Sequence, residues 1–298
     1  QNTSVADKPN LAGAFVSGGH NLISDATGST GFTNNVNGDI VGDSSAAVNP
    51  LTGALGDWGG ETETVSLLPG SPAIDAADDT AAPAADQRGV ARPQGTHADI
   101  GAYESRGFTM TKAGGDNQTA IVGHGYAQPL SVTVSSAYTE PVDGGVVTFA
   151  APDTGPSLSP NVITATIAGG RAGATATANH EMGEFDVVAM LAGAQPVTFT
   201  LENVLPPMYV DGALGTNDPS HGLGPGADAF RTIQYAVDQA PKGGTIYIAA
   251  NTYHERVIID KRLTLVGGAE DDAFDSQPII DGDLVKLAGP APAGAMTY

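Results

Sequence analysis

Apolar and polar residues alternate with a period of two through the middle of the chain, as in Leu130-Ser131-Val132-Thr133-Val134. Successive side chains of a strand point to opposite faces of a sheet, so this period predicts strands that bury one face. The predicted strands are 130–134, 146–149, 163–167, 172–176, 185–189 and 197–201. Turn residues separate them at short, regular intervals. This pattern predicts a β-sandwich over residues 107–205.

Residues 1–106 follow another pattern, with apolar runs of a few residues set between glycines and asparagines. Both residue types tolerate the left-handed backbone of sharp corners. Short strands with frequent corners predict the coils of a solenoid, in which each coil buries its inward side chains against its neighbour. The apolar runs are Phe15-Val16, Asn21 to Ile23, Asp39 to Val41 and Val65 to Leu68.

Residues 208–298 follow Pro206-Pro207, a predicted stiff hinge. A short helix is predicted near residue 230, with Asp228 as its N-cap. Strands are predicted at 245–249, 256–259, 263–266 and 278–281, with a turn at 251–255. The helix would cover the open end of the first coil and hide a strand edge. Its predicted buried face consists of Phe230, Ile233, Ala236, Val237 and Ala240.

Five motifs occur in order in the first segment. They are GGHNLI at 18–23, NPLTGALGDWGG at 49–60, LPGSPAID at 68–75, DQRGVARP at 86–93 and DIGAYE at 99–104. Together they resemble the choice-of-anchor Q region of bacterial surface proteins. That resemblance implies the end of a right-handed parallel β-helix and not an active site.

Two further resemblances concern the rest of the chain. Residues 107–205 resemble a bacterial Ig-like domain of the kind repeated in adhesins. Tyr209-Val210-Asp211, residues 230–237 and residues 243–248 resemble the opening of a pectin-lyase-like β-helix. The expected architecture is therefore all-β: parallel β-helix segments at 1–106 and 208–298 flank an Ig-like β-sandwich at 107–205, with one short capping helix.

Composition narrows the functional classes. Asp and Glu number 33 against 12 Lys and Arg, a formal net charge of −21, which disfavours binding to nucleic acid. The absence of cysteine excludes disulfides, thiolate nucleophiles and cysteine-based zinc sites. No apolar run reaches the ~20 residues that span a bilayer, so no membrane span is expected.

Clustered carboxylates are the candidate metal ligands, because Ca²⁺ takes several oxygen ligands from loops. The candidates are Asp75, Asp78 and Asp79 in one cluster and Asp271, Asp272 and Asp275 in another, with a weaker group at Asp211, Asn217 and Asp218. The alternative is that these are solvated acidic turns. Neither cluster has the spacing of an EF-hand. The six histidines are scattered without metal-ligand spacing and are expected to be exposed or turn residues.

The expected function is a non-catalytic structural or adhesive component of a secreted protein displayed at the cell surface. Its expected partners are flanking repeats or copies of itself, joined head to tail as a fibre, and surface glycans. The alternative is a polysaccharide-binding or polysaccharide-degrading β-helix protein. Catalysis is not expected, because β-helix enzymes place Asp, Arg or Lys on middle coils and an acidic substrate would favour a basic cleft.

Overall fold

The computed structural model describes residues 11–267 and the backbone of two short strands at residues 279–280 and 284–286. This part of the chain consists of short β-strands and one α-helix of 7 residues. Two compact units divide it, residues 1–203 and residues 204–298. The prediction of an all-β chain with one short helix is confirmed. Within the described residues, no helix has the length and apolar character that crossing a membrane requires.

Short parallel strands begin the first unit. Strand β1 (Gly13–Ala14) pairs with β3 (Ser29–Thr30), and β2 (Leu22–Ile23) pairs with β4 (Ile40–Val41), both in parallel register. An antiparallel hairpin follows, formed by β5 (Thr52–Gly56) and β6 (Thr64–Leu67). Residues 68–108, all of them described, then run through turns with one isolated bridge between Ala85 and Ala91.

The first apolar run behaves differently from the prediction. Phe15 and Val16 follow β1 instead of forming a strand, and they are 39% and 97% exposed. The other three predicted runs coincide with β2, β4 and β6. Backbone pairing continues to Phe15, whose N–H donates to the Thr30 carbonyl oxygen at 2.9 Å, but the side chains of Phe15 and Val16 do not enter the core.

Two antiparallel sheets make the rest of the first unit. The five-stranded sheet has the order β11-β10-β13-β14-β8, and the three-stranded sheet has the order β12-β9-β7. All six predicted sandwich strands are confirmed within a few residues at their ends. The strands are β7 (Thr109–Gly114), β8 (Gln118–Ile121), β9 (Leu130–Ser135), β10 (Val146–Ala150), β11 (Val162–Thr166), β12 (Arg171–Ala174), β13 (Gly183–Met190) and β14 (Val197–Val204).

The core of the first unit follows from the alternation. Val147, Phe149 and Phe199 have no exposed surface, and their polar neighbours in sequence face outward. The same apolar cluster continues into Ile74 and Tyr103. The boundary expected between residues 106 and 107 therefore lies within one continuous core.

The second unit consists of short parallel strands and the helix α1 (Ile233–Gln239). Its strands are β15 (Met208–Val210), β16 (Thr245–Ile248), β17 (Thr252–Tyr253), β18 (Val257–Ile259), β19 (Thr264–Gly267), β20 (Ile279–Ile280) and β21 (Leu284–Lys286). Parallel pairing joins β16 to both β15 and β19, β17 to β20, and β18 to β21. The strands β19, β20 and β21 thus pair with β16, β17 and β18 in the same order along the chain.

Helix α1 packs on β15, β16 and β18 through the predicted face. Phe230, Ile233, Ala236, Val237 and Ala240 are all at most 2% exposed. The predicted cap is wrong: Asp228 ends a 3₁₀ turn at Gly226–Asp228, and Thr232 caps the helix by accepting a hydrogen bond from Tyr235 N. The turn predicted at 251–255 is also wrong in part, because β17 places Tyr253 in the core at 4% exposure.

Candidate functional site

Two polar clusters stand out in the first unit. The arginine–carboxylate network consists of Asp86, Arg88, Arg92, Asp99, Glu104, Arg106 and Glu140. The histidine cavity is lined by segments around His20 and His97. All four carboxylates of the network are buried. Burying a charge costs free energy unless the charge is paired and hydrogen-bonded, so the partners of each group indicate its role.

Asp86 fixes the turn of the DQRG motif. Its Oδ1 accepts hydrogen bonds from Arg88 N at 2.8 Å and Val90 N at 2.9 Å, and its Oδ2 accepts one from Glu104 N at 2.9 Å. The Arg88 guanidinium lies 2.8 Å from the same carboxylate and 3.5 Å above the Tyr103 ring. Burial alone would raise the pKa of Asp86, but the hydrogen bonds outweigh burial and lower the pKa. Asp86 therefore ties the DQRG turn to the DIGAYE motif.

Glu104 has no exposed surface and holds the opposite side of the network. Its carboxylate accepts hydrogen bonds from Gln94 N at 2.8 Å and Asp99 N at 2.9 Å, and Arg92 Nη1 lies 3.5 Å away. Arg92 also donates to the carbonyl oxygens of Asp99 and Gly101 at 2.5 and 2.6 Å. These side chains bind the backbone of neighbouring turns, which is how a segment without strands is held in place.

Asp99 differs from the other carboxylates of the network. Among the described residues no ion pair joins it to a lysine or arginine. Its oxygens accept hydrogen bonds from Asp75 N at 2.8 Å and Ser105 N at 2.6 Å. Burial raises the pKa of Asp99 to about 7, against the effect of these two hydrogen bonds, and the neighbouring charges of Glu104 and Asp75 raise it further.

Glu140 fastens the network to the sandwich, because it lies in the connection between β9 and β10. Its carboxylate accepts hydrogen bonds from Ser105 Oγ at 3.0 Å and Arg106 N at 3.1 Å, and Arg106 Nε lies 3.6 Å from it. The Arg106 guanidinium stands 4.3 Å over the Tyr138 ring. The network as a whole is suited to cross-linking the chain, since its carboxylates are occupied by backbone donors and arginines.

The histidine cavity has a volume of about 420 Å³. Pairing of β2 with β4 brings His20 and Asp39 together just before the two strands. Gly38 is part of the same wall with φ at 74°, and a Cβ there would come within 2.6 Å of the His20 ring. Only glycine therefore lets the ring lie against this turn. The lining residues are His20, Asn35, Gly38, Asp39, Ile40, Asp75, Ala76, Ala77 and His97.

Hydrogen bonds fix both imidazole rings of the cavity through Nδ1. His20 Nδ1 lies 2.7 Å from the carbonyl oxygen of Ala76, and a carbonyl only accepts, so Nδ1 donates. His97 Nδ1 lies 2.8 Å from Asp79 Oδ2, and this hydrogen bond raises the pKa of His97. In the neutral rings Nε2 is thus the atom with a free lone pair, and it is available to a ligand.

Two carboxylates also line the cavity. Asp39 is 2% exposed, and its Oδ1 accepts hydrogen bonds from Asn21 N at 3.0 Å and Asn21 Nδ2 at 2.8 Å. Burial alone would raise the pKa of Asp39, but hydrogen bonds from Ser17 and Asn21 outweigh it and lower the pKa, so the carboxylate is ionised at neutral pH. Asp75 Oδ1 accepts a hydrogen bond from His97 N at 3.0 Å.

The predicted metal ligands of the first cluster have separate partners. Asp75 binds His97 N, Asp78 binds Thr80 through N and Oγ1, and Asp79 binds Ala98 N and the His97 ring. In the part of the chain that is described, no three His, Asp or Glu side chains are placed to hold a metal ion. The geometry gives the calcium prediction no support at Asp75, Asp78 and Asp79.

The remaining candidates divide in two groups. Asp271, Asp272 and Asp275 lie outside the described residues, and the calcium prediction for them stays a prediction. The weaker group of Asp211, Asn217 and Asp218 accepts hydrogen bonds from backbone N–H groups. Asp211 accepts from residues 213 and 214, and Asp218 accepts from residue 220. Asn217 accepts from residues 231 and 232.

The sequence does not predict the histidine cavity. His97 lies in an exposed bend, which agrees with the expectation of exposed or turn histidines, whereas His20 is partly buried. Asp39 is expected only as the start of an apolar run. These residues come from segments far apart in the chain, so no local spacing joins them. The glycine after Asn37 and the repeated short strands were the available signals, and neither indicates a cavity by itself.

Comparisons with known proteins do not indicate a family or an activity for the chain. No protein-family model matches the chain, and no curated protein matches it. One solved structure, the crystal structure of the Arg-specific cysteine proteinase gingipain R, aligns with 32% of this chain and 18% of its own at 15% identity and a TM-score of 0.20. The chain thus spans less than a fifth of that protein's length, and a TM-score this low carries no argument about fold or activity.

Proposed function

We propose that the chain is a non-catalytic structural or adhesive component of a secreted, cell-surface repeat protein. The observation that carries the proposal is the pairing of β19, β20 and β21 with β16, β17 and β18 in parallel and in the same order. Coils that stack in this way bury their inward side chains only against their neighbours. A parallel β-helix is the arrangement that this pairing favours in the second unit, and the pairs β1–β3 and β2–β4 favour the same at the start of the first.

The arginine–carboxylate network supports a structural role. Asp86, Glu104 and Glu140 bind backbone N–H groups of distant segments, and Arg92 binds backbone carbonyl oxygens. Charged groups used in this way hold turns and the sandwich together. The formal charge of −21 keeps such a surface protein well solvated.

Head-to-tail association is part of the proposal. Val16 and Phe15 are exposed beside β1, and the Phe15 ring packs in a tilted arrangement against Phe32 with ring centroids 5.4 Å apart. An apolar surface beside a strand edge is a place where further coils can pack. A second copy of the chain and a flanking repeat are both able to supply such coils.

Sedimentation velocity over a wide range of concentrations, with negative-stain images, tests the association. We expect larger, elongated species as concentration rises, and a strictly monomeric protein at high concentration contradicts head-to-tail assembly. Incubation with acidic polysaccharides tests the non-catalytic role separately. We expect no release of reducing ends or unsaturated products, and product release would establish the polysaccharide-degrading alternative.

A further inference from the structure

We propose that the histidine cavity binds an organic cation, presenting a guanidinium or a primary ammonium group. This inference does not depend on the proposed structural role. It concerns a cavity of about 420 Å³ in the first unit whose walls come from four separate segments of the chain. Hydrogen-bond acceptors are prominent among its polar lining groups, so a ligand with several N–H donors would suit it.

The acceptors of the cavity set its preference. Asp39 and Asp75 contribute carboxylates, and His20 contributes Nε2, because its Nδ1 donates to the Ala76 carbonyl oxygen. Guanidinium and ammonium groups offer several N–H donors and no acceptors, which matches such a lining. A carboxylate or phosphate ligand would instead meet two like charges.

Asp39 gives the strongest indication that a cation belongs here. The side chain is nine-tenths buried or more, at 2% exposure, and is ionised. Its hydrogen bonds come from the neutral groups of Ser17 and Asn21, and no lysine or arginine forms an ion pair with it among the described residues. A charge placed in this way attracts an opposite charge more strongly than an exposed one does.

Neighbouring charges favour the same sign of ligand. Asp79 lies next to the cavity and 2.8 Å from the His97 ring, so its carboxylate balances the charge that His97 carries when protonated. The carboxylates of Asp39 and Asp75 are then left as net negative charge on the walls. The net charge of −21 for the chain also raises the local concentration of cations.

Asp75 offers a precise substitution for a test. Its backbone has φ at 57°, a left-handed conformation that asparagine tolerates well. Asp75→Asn keeps an oxygen to accept from His97 N and removes only the charge. The matched control is Asp78→Asn, three residues away, which makes the same change of charge at a carboxylate that binds Thr80 and does not line the cavity.

Isothermal titration of the full chain with Nα-acetyl-L-arginine amide, and with Nα-acetyl-L-citrulline amide as its uncharged counterpart, measures the binding. We expect the arginine compound to bind at least about 10-fold more tightly than the citrulline compound, the size of one charge-assisted hydrogen bond. Asp75→Asn should weaken binding of the arginine compound by about 10-fold or more, and Asp78→Asn by less than about 2-fold. Unchanged melting temperatures would show that both variants are folded.

Three results would overturn the proposal: no binding of Nα-acetyl-L-arginine amide, equal binding of Nα-acetyl-L-citrulline amide, or equal losses in the two variants. Equal losses would mean attraction by the general acidic field. Two further titrations identify the source of the cation once it binds. Tighter binding of an arginine-containing peptide than of putrescine assigns the cavity to a basic protein segment, and the reverse order assigns it to a free polyamine.

Discussion

Replacing Asp99 by asparagine should flatten the dependence of stability on pH between pH 5 and pH 8. The pKa of Asp99 is raised from 3.8 to about 7 in the folded chain, so the folded state binds its proton more tightly than the unfolded state does. The contribution of this group is therefore fully present below about pH 4 and is lost as the pH rises through 7. A shift of about three pKa units corresponds to about 4 kcal/mol in all, of which about 2.7 kcal/mol falls between pH 5 and pH 8.

Urea unfolding at pH 5, 6, 7 and 8 measures this difference for the wild type and for Asp99→Asn. The variant loses one acceptor, because its amide NH₂ replaces one of the two oxygens that accept from Asp75 N and Ser105 N. At pH 5 its stability should therefore lie about 1 to 3 kcal/mol below that of the wild type, and the difference should shrink as the pH rises. The slope with pH is thus the informative quantity. The contribution of His97 to stability also decreases as the pH rises through this window, because the pKa of His97 is raised as well. That decrease is the same in the wild type and in the variant.

Asp43→Asn is the matched control, because Asp43 is an exposed carboxylate whose pKa is lowered by hydrogen bonds from Ser45 and Ala46. Its contribution is lost only on acidification, below the window of the assay. A wild type and an Asp99→Asn variant with the same slope would refute the reasoning. So would a direct titration of the Asp99 side-chain carbon by NMR with a midpoint near 4.

Three other substitutions test the packing. Glu255→Gln removes the charge of the carboxylate that accepts from the first two N–H groups of α1. The free energy of unfolding of the second unit should therefore fall by about 1 to 2 kcal/mol. The control Glu184→Gln, at an exposed glutamate, should change stability little. Phe149→Ala should cost about 3 to 5 kcal/mol in the first unit, against less than about 1 kcal/mol for half-exposed Val162→Ala on the paired strand. Gly70→Ala should lower the melting temperature of the first unit, because φ is 86° and the new Cβ would lie 2.4 Å from a backbone oxygen. Equal effects in a variant and its control, or no effect of Gly70→Ala, would contradict these packing arguments.

The central strands of the sandwich were predictable, and its first strands were not. Period-two alternation identified β9, β10, β13 and β14 because each buries several alternate side chains. Strand β7 buries only Met110 and β8 only Ala120, so neither produces an alternation. Their pairing depends on neighbours in the sheet instead of on their own sequence.

The helix in the second unit illustrates the same limit. Its buried face follows from the spacing of apolar residues and was predicted. Its start depends on contacts that sequence spacing does not contain, since Glu255 reaches the helix from 22 positions further along the chain. Thr232, the residue that caps it, has the usual chemistry of an N-cap, but Asp228 has it as well.

The polar clusters were the least predictable part. The motifs DQRGVARP and DIGAYE can be read from the sequence, yet the partners of their charged side chains become visible only in three dimensions. Asp99, for example, links the turn at Asp75 to Ser105. The histidine cavity combines residues from four segments, and the spacing of residues within any one segment does not predict that the four come together.

Stacking of coils is the central claim about how this chain is built, and one pair of substitutions in β18 tests it most directly. Val257 has no exposed surface and Ile258 beside it is 37% exposed. Calorimetry of the full chain should show that Val257→Asp abolishes or strongly lowers the transition of the second unit, because burying a charge without a partner costs several kcal/mol. Ile258→Asp should leave both transitions within a few degrees of the wild type. Equal effects of the two substitutions would contradict stacked coils with an inward and an outward face.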